Sequence, residues 1–83
     1  MRIELKLFAT LTQHLPAGAK DNIARVDVPS GMSVEWVIDH FQVPREQCHL
    51  VIVNGVFVPP AQRGSELLKD GDTLALWPPV AGG

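Results

Sequence analysis

The sequence predicts a two-layer α+β domain: a mixed sheet of about five strands with one main helix packed across one face. The chain has 83 residues, 46% of them hydrophobic, which is enough for one small core. Several short segments alternate apolar and polar residues with the period of two that is typical of half-buried strands. One short segment has the helical period instead, and a helix of that length needs a sheet to pack against.

The first two strands are predicted in the N-terminal part of the chain. Ile3, Leu5 and Leu7 alternate with polar residues, so the first strand has one aliphatic face. Residues 23–28 predict a second strand, which "PSG" closes. Between the two strands, "ATLTQHLPAGAKDN" predicts a loop with room for one helical turn over residues 11–15.

The main helix is predicted over residues 34–42. Ser33 is suited to cap its N-terminus, and Pro44 prevents much continuation at the other end. Apolar residues at positions i, i+3, i+4 and i+7 form one stripe along this segment, namely Val34, Val37, Ile38 and Phe41. That stripe is the surface expected to lie on the sheet.

The C-terminal half predicts a hairpin and a last strand. In "LVIVNGVFV", residues 50–58, Asn-Gly favours a type I′ turn between two antiparallel strands. "KDGD" predicts a turn, since it lacks the further ligands of a calcium loop. Residues 73–77 predict a strand with Leu74 and Leu76 inward, and the first and last strands are expected to be neighbours at the sheet centre. This arrangement is that of the β-grasp, or ubiquitin-like, fold.

Charge and cysteine content narrow the possible functions. A net charge of −2 with seven scattered basic residues argues against nucleic-acid binding. No apolar run is long enough to span a membrane, and the charged N-terminal segment does not resemble a signal peptide. Cys48 is alone, which excludes an internal disulfide and favours the cytoplasm. His14, His40 and His49 have no metal-ligand spacing, so we expect no metal and no catalytic site of the chain's own.

Four further residues are predicted to have structural rather than functional roles. Trp36 is expected to pack at the rim of the helix, and Cys48 to be a small structural residue. Arg63 and Lys69 could meet an acidic partner surface, but we expect both to be solvated charges.

The C-terminal sequence resembles that of a known family. "LKDGDTLALWPPVAGG", residues 68–83, is similar to the end of the small subunit of molybdopterin synthase and its relatives in the MoaD/ThiS family of ubiquitin-like sulfur carriers. "IELKLFATLTQHL" and "VPSGMSVEWVIDHF" resemble the family more loosely. "IVNGVFV" is closer to the thiamine branch and "PPVAGG" to the molybdopterin branch, which leaves the pathway open.

The resemblance implies a function for the terminal carboxylate. An adenylating, ubiquitin-activating-like enzyme would use MgATP to activate Gly83, and a sulfur donor would then convert it to a thiocarboxylate. The acceptor would be the large subunit of molybdopterin synthase, with this chain as the small subunit, or another sulfur-acceptor enzyme. The carrier itself would bind no cofactor. A carrier for thiamine synthesis or tRNA thiolation, a ubiquitin-like modifier and a passive β-grasp interaction module remain alternatives.

Residues 1–77 are predicted to form the β-grasp domain and residues 78–83 a flexible tail. Proline stiffens the chain where it leaves the last strand, which lowers the entropy lost on threading. Glycine has no Cβ, so the walls of a narrow channel can approach the main chain. The tail predicted to enter a partner is Pro78, Pro79, Val80, Ala81 and Gly82, ahead of the reactive Gly83.

A docking surface is predicted from strand parity. If the aliphatic residues of the first and last strands point to the helix, Phe8 and Trp77 lie on the opposite face, where Phe57 of the hairpin could join them. Exposed aromatic residues often dominate binding at an interface. We therefore predict that Phe8, Phe57 and Trp77 form a partner-docking patch, an idea that burial of all three in the core would exclude.

Overall fold

The computed structural model describes residues 1–80, which form one sheet and one α-helix. The strands and the helix are β1 (Arg2–Leu7), β2 (Ile23–Asp27), α1 (Val34–His40), β3 (Leu50–Val53), β4 (Val56–Phe57) and β5 (Thr73–Trp77). Short 3-10 helices span Ala9–His14, Arg45–Gln47 and Pro60–Gln62. In the part of the chain described, no helix is long and apolar enough to cross a membrane.

The five strands have the order β2-β1-β5-β3-β4. β1 and β5 are parallel neighbours, with Leu5 opposite Leu74, whereas the other three pairs are antiparallel. The predicted mixed sheet and its central pair of first and last strands are therefore confirmed. Because β5 lies between β1 and β3, the segment that follows it leaves from the middle of the sheet.

One face of the sheet shares a hydrophobic core with α1. The inward residues of the two central strands are at most 1% exposed, as the alternation predicts, and they are Ile3, Leu5, Leu7, Leu74 and Leu76. On α1, Val34 and Val37 are fully buried and Ile38 is 2% exposed. The Ser33 hydroxyl accepts a hydrogen bond from the Trp36 N–H at 3.0 Å, which confirms the predicted N-cap.

α1 ends at His40, two residues before the predicted end at residue 42. Gln42 adopts a left-handed conformation with φ of 60°, which stops the helix. Its N–H donates to the Asp39 carbonyl at 2.9 Å, and the Val43 N–H donates to the Ile38 carbonyl at 3.0 Å. These two bonds are those of a Schellman motif, here with glutamine where glycine is usual.

The connecting segments follow the prediction in part. The predicted single turn over residues 11–15 is a longer 3-10 helix, Ala9–His14, and β2 ends at Asp27. The hairpin is confirmed, because Asn54 and Gly55 have φ of 50° and 85°, as a type I′ turn requires. β4 has only two residues and forms one edge of the sheet.

Candidate functional site at the root of the C-terminal segment

The segment that follows β5 starts from a strand end held on both sides. The His49 N–H donates to the Trp77 carbonyl at 2.9 Å from the β3 side, and the Phe8 N–H donates to the Leu76 carbonyl at 3.2 Å from the β1 side. Pro78 is half-buried, while Pro79 and Val80 are exposed. The predicted tail residues Ala81 and Gly82, and the predicted reactive Gly83, lie outside the described residues.

Phe8 and Trp77 form an aromatic stack beside this root. Their ring centroids are 4.4 Å apart and the rings are nearly parallel, with an interplanar angle of 2°. Both side chains are half-buried. Trp77 alternates with the buried Leu76, so the stack lies on the sheet face opposite α1. Stacking fixes both rings in place, which favours their use as a rigid contact surface.

Phe57 lies on the same face as this stack but further along the sheet. It pairs with Ile52, which pairs with Ala75 of β5, so it is two strands, or about 10 Å, from β5. Phe57 is 49% exposed. The predicted docking residues are thus not buried in the core, and their role in docking stays a prediction. We define the apolar patch as Phe8, Leu50, Ile52, Phe57, Ala75 and Trp77, which share this face.

The β1–β2 half of the same face is charged. Glu4 is 3.8 Å from Lys6 and 4.0 Å from Arg25, and Arg2 is 3.2 Å from Asp27. The hydrogen bond from Arg2, and then its charge, hold the pKa of Asp27 below its usual range. Such exposed pairs add little stability. They do, however, give the apolar patch a polar border, which is how protein-binding surfaces are commonly arranged.

Cys48 is buried in the hydrophobic core, as expected for a small structural residue. It is 4% exposed, and its thiol donates to the Pro44 carbonyl at 3.5 Å. Burial raises the pKa of the Cys48 thiol, which keeps it protonated at neutral pH. Within residues 1–80, no group of three His, Cys, Asp or Glu side chains is placed to hold a metal ion.

Arg63 is not the solvated charge that the sequence predicts. It is 7% exposed, and its guanidinium donates to three main-chain carbonyls, those of Val58, Cys48 and His49. The sequence gives no sign that Arg63 is buried. Its acceptors are main-chain carbonyls, which every residue has, so no particular residue type marks the position of a partner. Lys69 is exposed, as predicted.

Trp36 packs at the rim of the core, as predicted. It is half-buried, contacts the core and stacks on His40 of the next helical turn, with 4.7 Å between ring centroids. Both residues lie on α1, so this pair is on the layer opposite the apolar patch.

The family model for the ThiS family matches residues 5–83. The chain belongs to the ThiS family. Among solved structures, SAMP1 from Haloferax volcanii is 31% identical to this ThiS-family chain, with complete coverage of both chains and a TM-score of 0.69. A Pyrococcus furiosus protein, provisionally named as molybdopterin converting factor subunit 1, is 25% identical over 95% of this chain and 98% of that one, with a TM-score of 0.68.

A third structure shows the fold in an assembly. It is a complex of subunits 1 and 2 of the molybdopterin-converting factor from Helicobacter pylori, and the matching chain is 19% identical, with complete coverage of both chains and a TM-score of 0.58. The comparison with curated protein sequences gave no significant match. The predicted ubiquitin-like β-grasp fold and the predicted MoaD/ThiS membership are both confirmed. The chain is thus a protein of the ThiS/MoaD sulfur-carrier type with a ubiquitin-like fold.

Proposed function

We propose that this ThiS-family protein is a sulfur carrier that acts as the small subunit of molybdopterin synthase. Its Gly83 carboxylate would be adenylated, converted to a thiocarboxylate and used to donate sulfur in molybdopterin biosynthesis. The observation that carries the proposal is the ThiS-family match, which continues through the Gly-Gly ending at residue 83.

The chemistry needs a partner because a carboxylate is a poor electrophile. In the first step a Gly83 oxygen attacks the α-phosphorus of MgATP in the adenylating enzyme, forming the acyl-adenylate and releasing pyrophosphate. In the second step a sulfur nucleophile at the oxidation level of sulfide attacks the carbonyl carbon, and AMP leaves with the bonding electron pair. The carrier contributes the carboxyl group and a surface that docks beside the active site. Residues 78–83 would reach into that site, with the two glycines at the narrowest point.

The apolar patch is the surface proposed for docking. Trp77 belongs to this patch and immediately precedes Pro78, so a partner held on the patch lies close to the start of the tail. Phe57, at 49% exposure, and Leu50, at 39%, offer apolar area that water now covers. Removing that area from water supplies the affinity that a short tail cannot supply alone.

The molybdopterin branch is favoured by two observations. Pro78, Pro79 and Val80 follow the last strand as in the "PPV-x-GG" pattern of that branch, and the Pyrococcus protein at 25% identity is named as a converting-factor subunit. The Helicobacter complex suggests the large subunit as the partner that receives the tail. A ubiquitin-like modifier is the second candidate, because the same Gly83 carboxylate could be joined to lysines and because the protein at 31% identity, SAMP1, is not named as a converting-factor subunit.

Intact mass spectrometry after co-expression with the adenylating enzyme tests the proposal. The expected result is the mass gain for replacing one oxygen by one sulfur, localised to Gly83. Removal of Gly83, or one residue added after it, should abolish this gain while leaving the unfolding midpoint unchanged. Adducts on lysine side chains would favour the modifier instead, and a persistently unmodified wild-type chain would overturn the sulfur-carrier proposal.

The pathway is tested separately with the thiocarboxylated protein. It is mixed either with the large subunit of molybdopterin synthase and its precursor or with a thiazole-forming enzyme. Sulfur transfer only in the first mixture is the expected result. Transfer only in the second would move the protein to the thiamine branch.

A further inference from the structure

Arg63 is the one buried charged side chain that the structure shows within residues 1–80. Its Nη1 donates to the Cys48 carbonyl at 2.7 Å, its Nε to the Val58 carbonyl at 3.1 Å and its Nη2 to the His49 carbonyl at 3.4 Å. No carboxylate of the described residues lies within ion-pair distance of it. A buried guanidinium paired only with main-chain carbonyls fixes those carbonyls, because a charged donor makes strong and directional bonds.

The carbonyl of Cys48 and the N–H of His49 belong to the same peptide unit. That unit is planar, so fixing its oxygen also fixes the direction of its N–H. The His49 N–H donates to the Trp77 carbonyl at 2.9 Å, its shorter bond, and is shared with the Gln47 carbonyl at 3.1 Å. A charged donor on the oxygen also polarises the peptide and strengthens the N–H as a donor. Arg63 is therefore linked to Trp77 through one rigid peptide.

The Trp77 carbonyl in turn belongs to the peptide that joins β5 to Pro78. Within residues 1–80 it accepts the last main-chain hydrogen bond of β5, because Pro78 has no N–H to continue the ladder. The carbonyl of Arg63 also accepts from the Glu35 N–H at 2.9 Å, which connects this chain of bonds to the first turn of α1. The root of the tail is thus held against the helix layer through Arg63.

We propose that Arg63 is a positioning residue for the activation of Gly83, which sets the direction in which the chain leaves β5. It acts through the 48–49 peptide and touches neither the partner nor the reacting atoms. This role rests on the proposed function. The apolar patch lies on the other face of the sheet, so Arg63 should affect the alignment of the tail and not docking.

The first test measures the hydrogen bond itself, by through-bond NMR coupling between the His49 nitrogen and the Trp77 carbonyl carbon. The Asn54 N–H to Thr73 carbonyl bond, 3.0 Å long at the opposite end of the β3–β5 ladder, is the internal reference. Arg63→Met should lose the first coupling and keep the second, and Arg25→Met, on an exposed side chain, should keep both. If Arg63→Met does not fold, Arg63→Lys is measured in the same way. Retention of both couplings, or loss of both together, would overturn the proposal.

The second test separates positioning from general stability by activation kinetics with the adenylating enzyme. Arg63→Lys, assayed where it is fully folded, should lower kcat about tenfold or more with KM within about twofold of wild type. A raised KM with normal kcat, or no change in either, overturns the role of Arg63 alone. Failure of the wild-type chain to be adenylated would instead remove the proposed function, and the role in activation with it.

Discussion

The two ends of β5 are held in different ways. At the Thr73 end, the Asn54 side chain accepts from the Thr73 N–H and donates to Asp72, each at 2.9 Å, and Asp72 also accepts from the Lys69 N–H at 2.8 Å. These bonds are exposed and lie within two turns. At the Trp77 end, a single buried cation, Arg63, acts through one peptide unit.

The two ends of β5 thus have different tasks. The Thr73 end closes the sheet where two turns meet, and the Trp77 end is the point from which residues 78–83 leave the domain. At the Thr73 end, several exposed hydrogen bonds hold β5 and each contributes little stability. Loss of one of these bonds should therefore not separate β5 from the turns. At the Trp77 end, strand pairing and the Phe8–Leu76 bond also hold β5, and the His49–Trp77 bond is the one that depends on a side chain in a distant segment, Arg63. Under the proposed function, the direction in which residues 78–83 leave β5 could thus be changed through Arg63 without altering the turns at the Thr73 end.

The largest expected effect is on stability at the Trp77 end. Arg63→Met should lower the free energy of unfolding by about 2–4 kcal/mol, because buried carbonyls lose their donor. Lys69→Met, at an exposed position next to the other end, should stay within about 0.5 kcal/mol of wild type. Urea unfolding measures both variants. Equal effects of the two substitutions would contradict the contrast between the ends.

The next prediction concerns docking. Trp77→Ala should raise the KM for activation about 30-fold, the equivalent of about 2 kcal/mol, while kcat changes little, because an aromatic anchor of the apolar patch is removed. Thr73→Ala is the matched control, since it lies on the same face at the opposite end of β5. A similar KM for the two variants would show that docking does not use the Trp77 end.

The sequence predicts the Thr73 end far better than the Trp77 end, for a physical reason. Asn54-Gly55 and Asp70-Gly71-Asp72 carry their turn geometry in the residues themselves, and the alternation of β5 defines its inward face. Arg63 bonds to main-chain carbonyls, so no complementary side chain in the sequence points to it. Only the three-dimensional fold brings its segment to the start of β3.

The aromatic pair and the helix also combine a feature that the sequence predicts with a detail that only the structure shows. Strand parity correctly predicts the face on which Phe8 and Trp77 lie, but parity cannot predict that their rings stack. The apolar stripe correctly predicts the buried side of α1. The early end of the helix depends on the left-handed conformation of Gln42, and glutamine is not a residue type that indicates a C-terminal cap.

A smaller effect is expected from the turn at the Thr73 end. Asn54→Ala should lower the free energy of unfolding by about 1–2 kcal/mol, because it loses two exposed hydrogen bonds and places alanine at a φ of 50°. Asn54→Gly loses the same bonds without the left-handed strain and should be less destabilising. Neither variant should change the KM for activation. If alanine and glycine were equally tolerated, strain at this turn would not contribute.

The smallest expected effect is a pH dependence at the Trp77 end, where burial raises the pKa of Cys48 above its ordinary value. The folded state favours the neutral thiol, so this contribution is complete below the unfolded pKa and is lost as pH rises from there through the folded pKa. The free energy of unfolding of wild type should therefore fall more steeply than that of Cys48→Ala over the pH interval above about 8.5, the ordinary pKa of a thiol. Urea midpoints measured across this interval give the two slopes. Parallel slopes would mean that burial does not raise the pKa of the Cys48 thiol. The segment held by Arg63 would then be more open to water than the structure indicates.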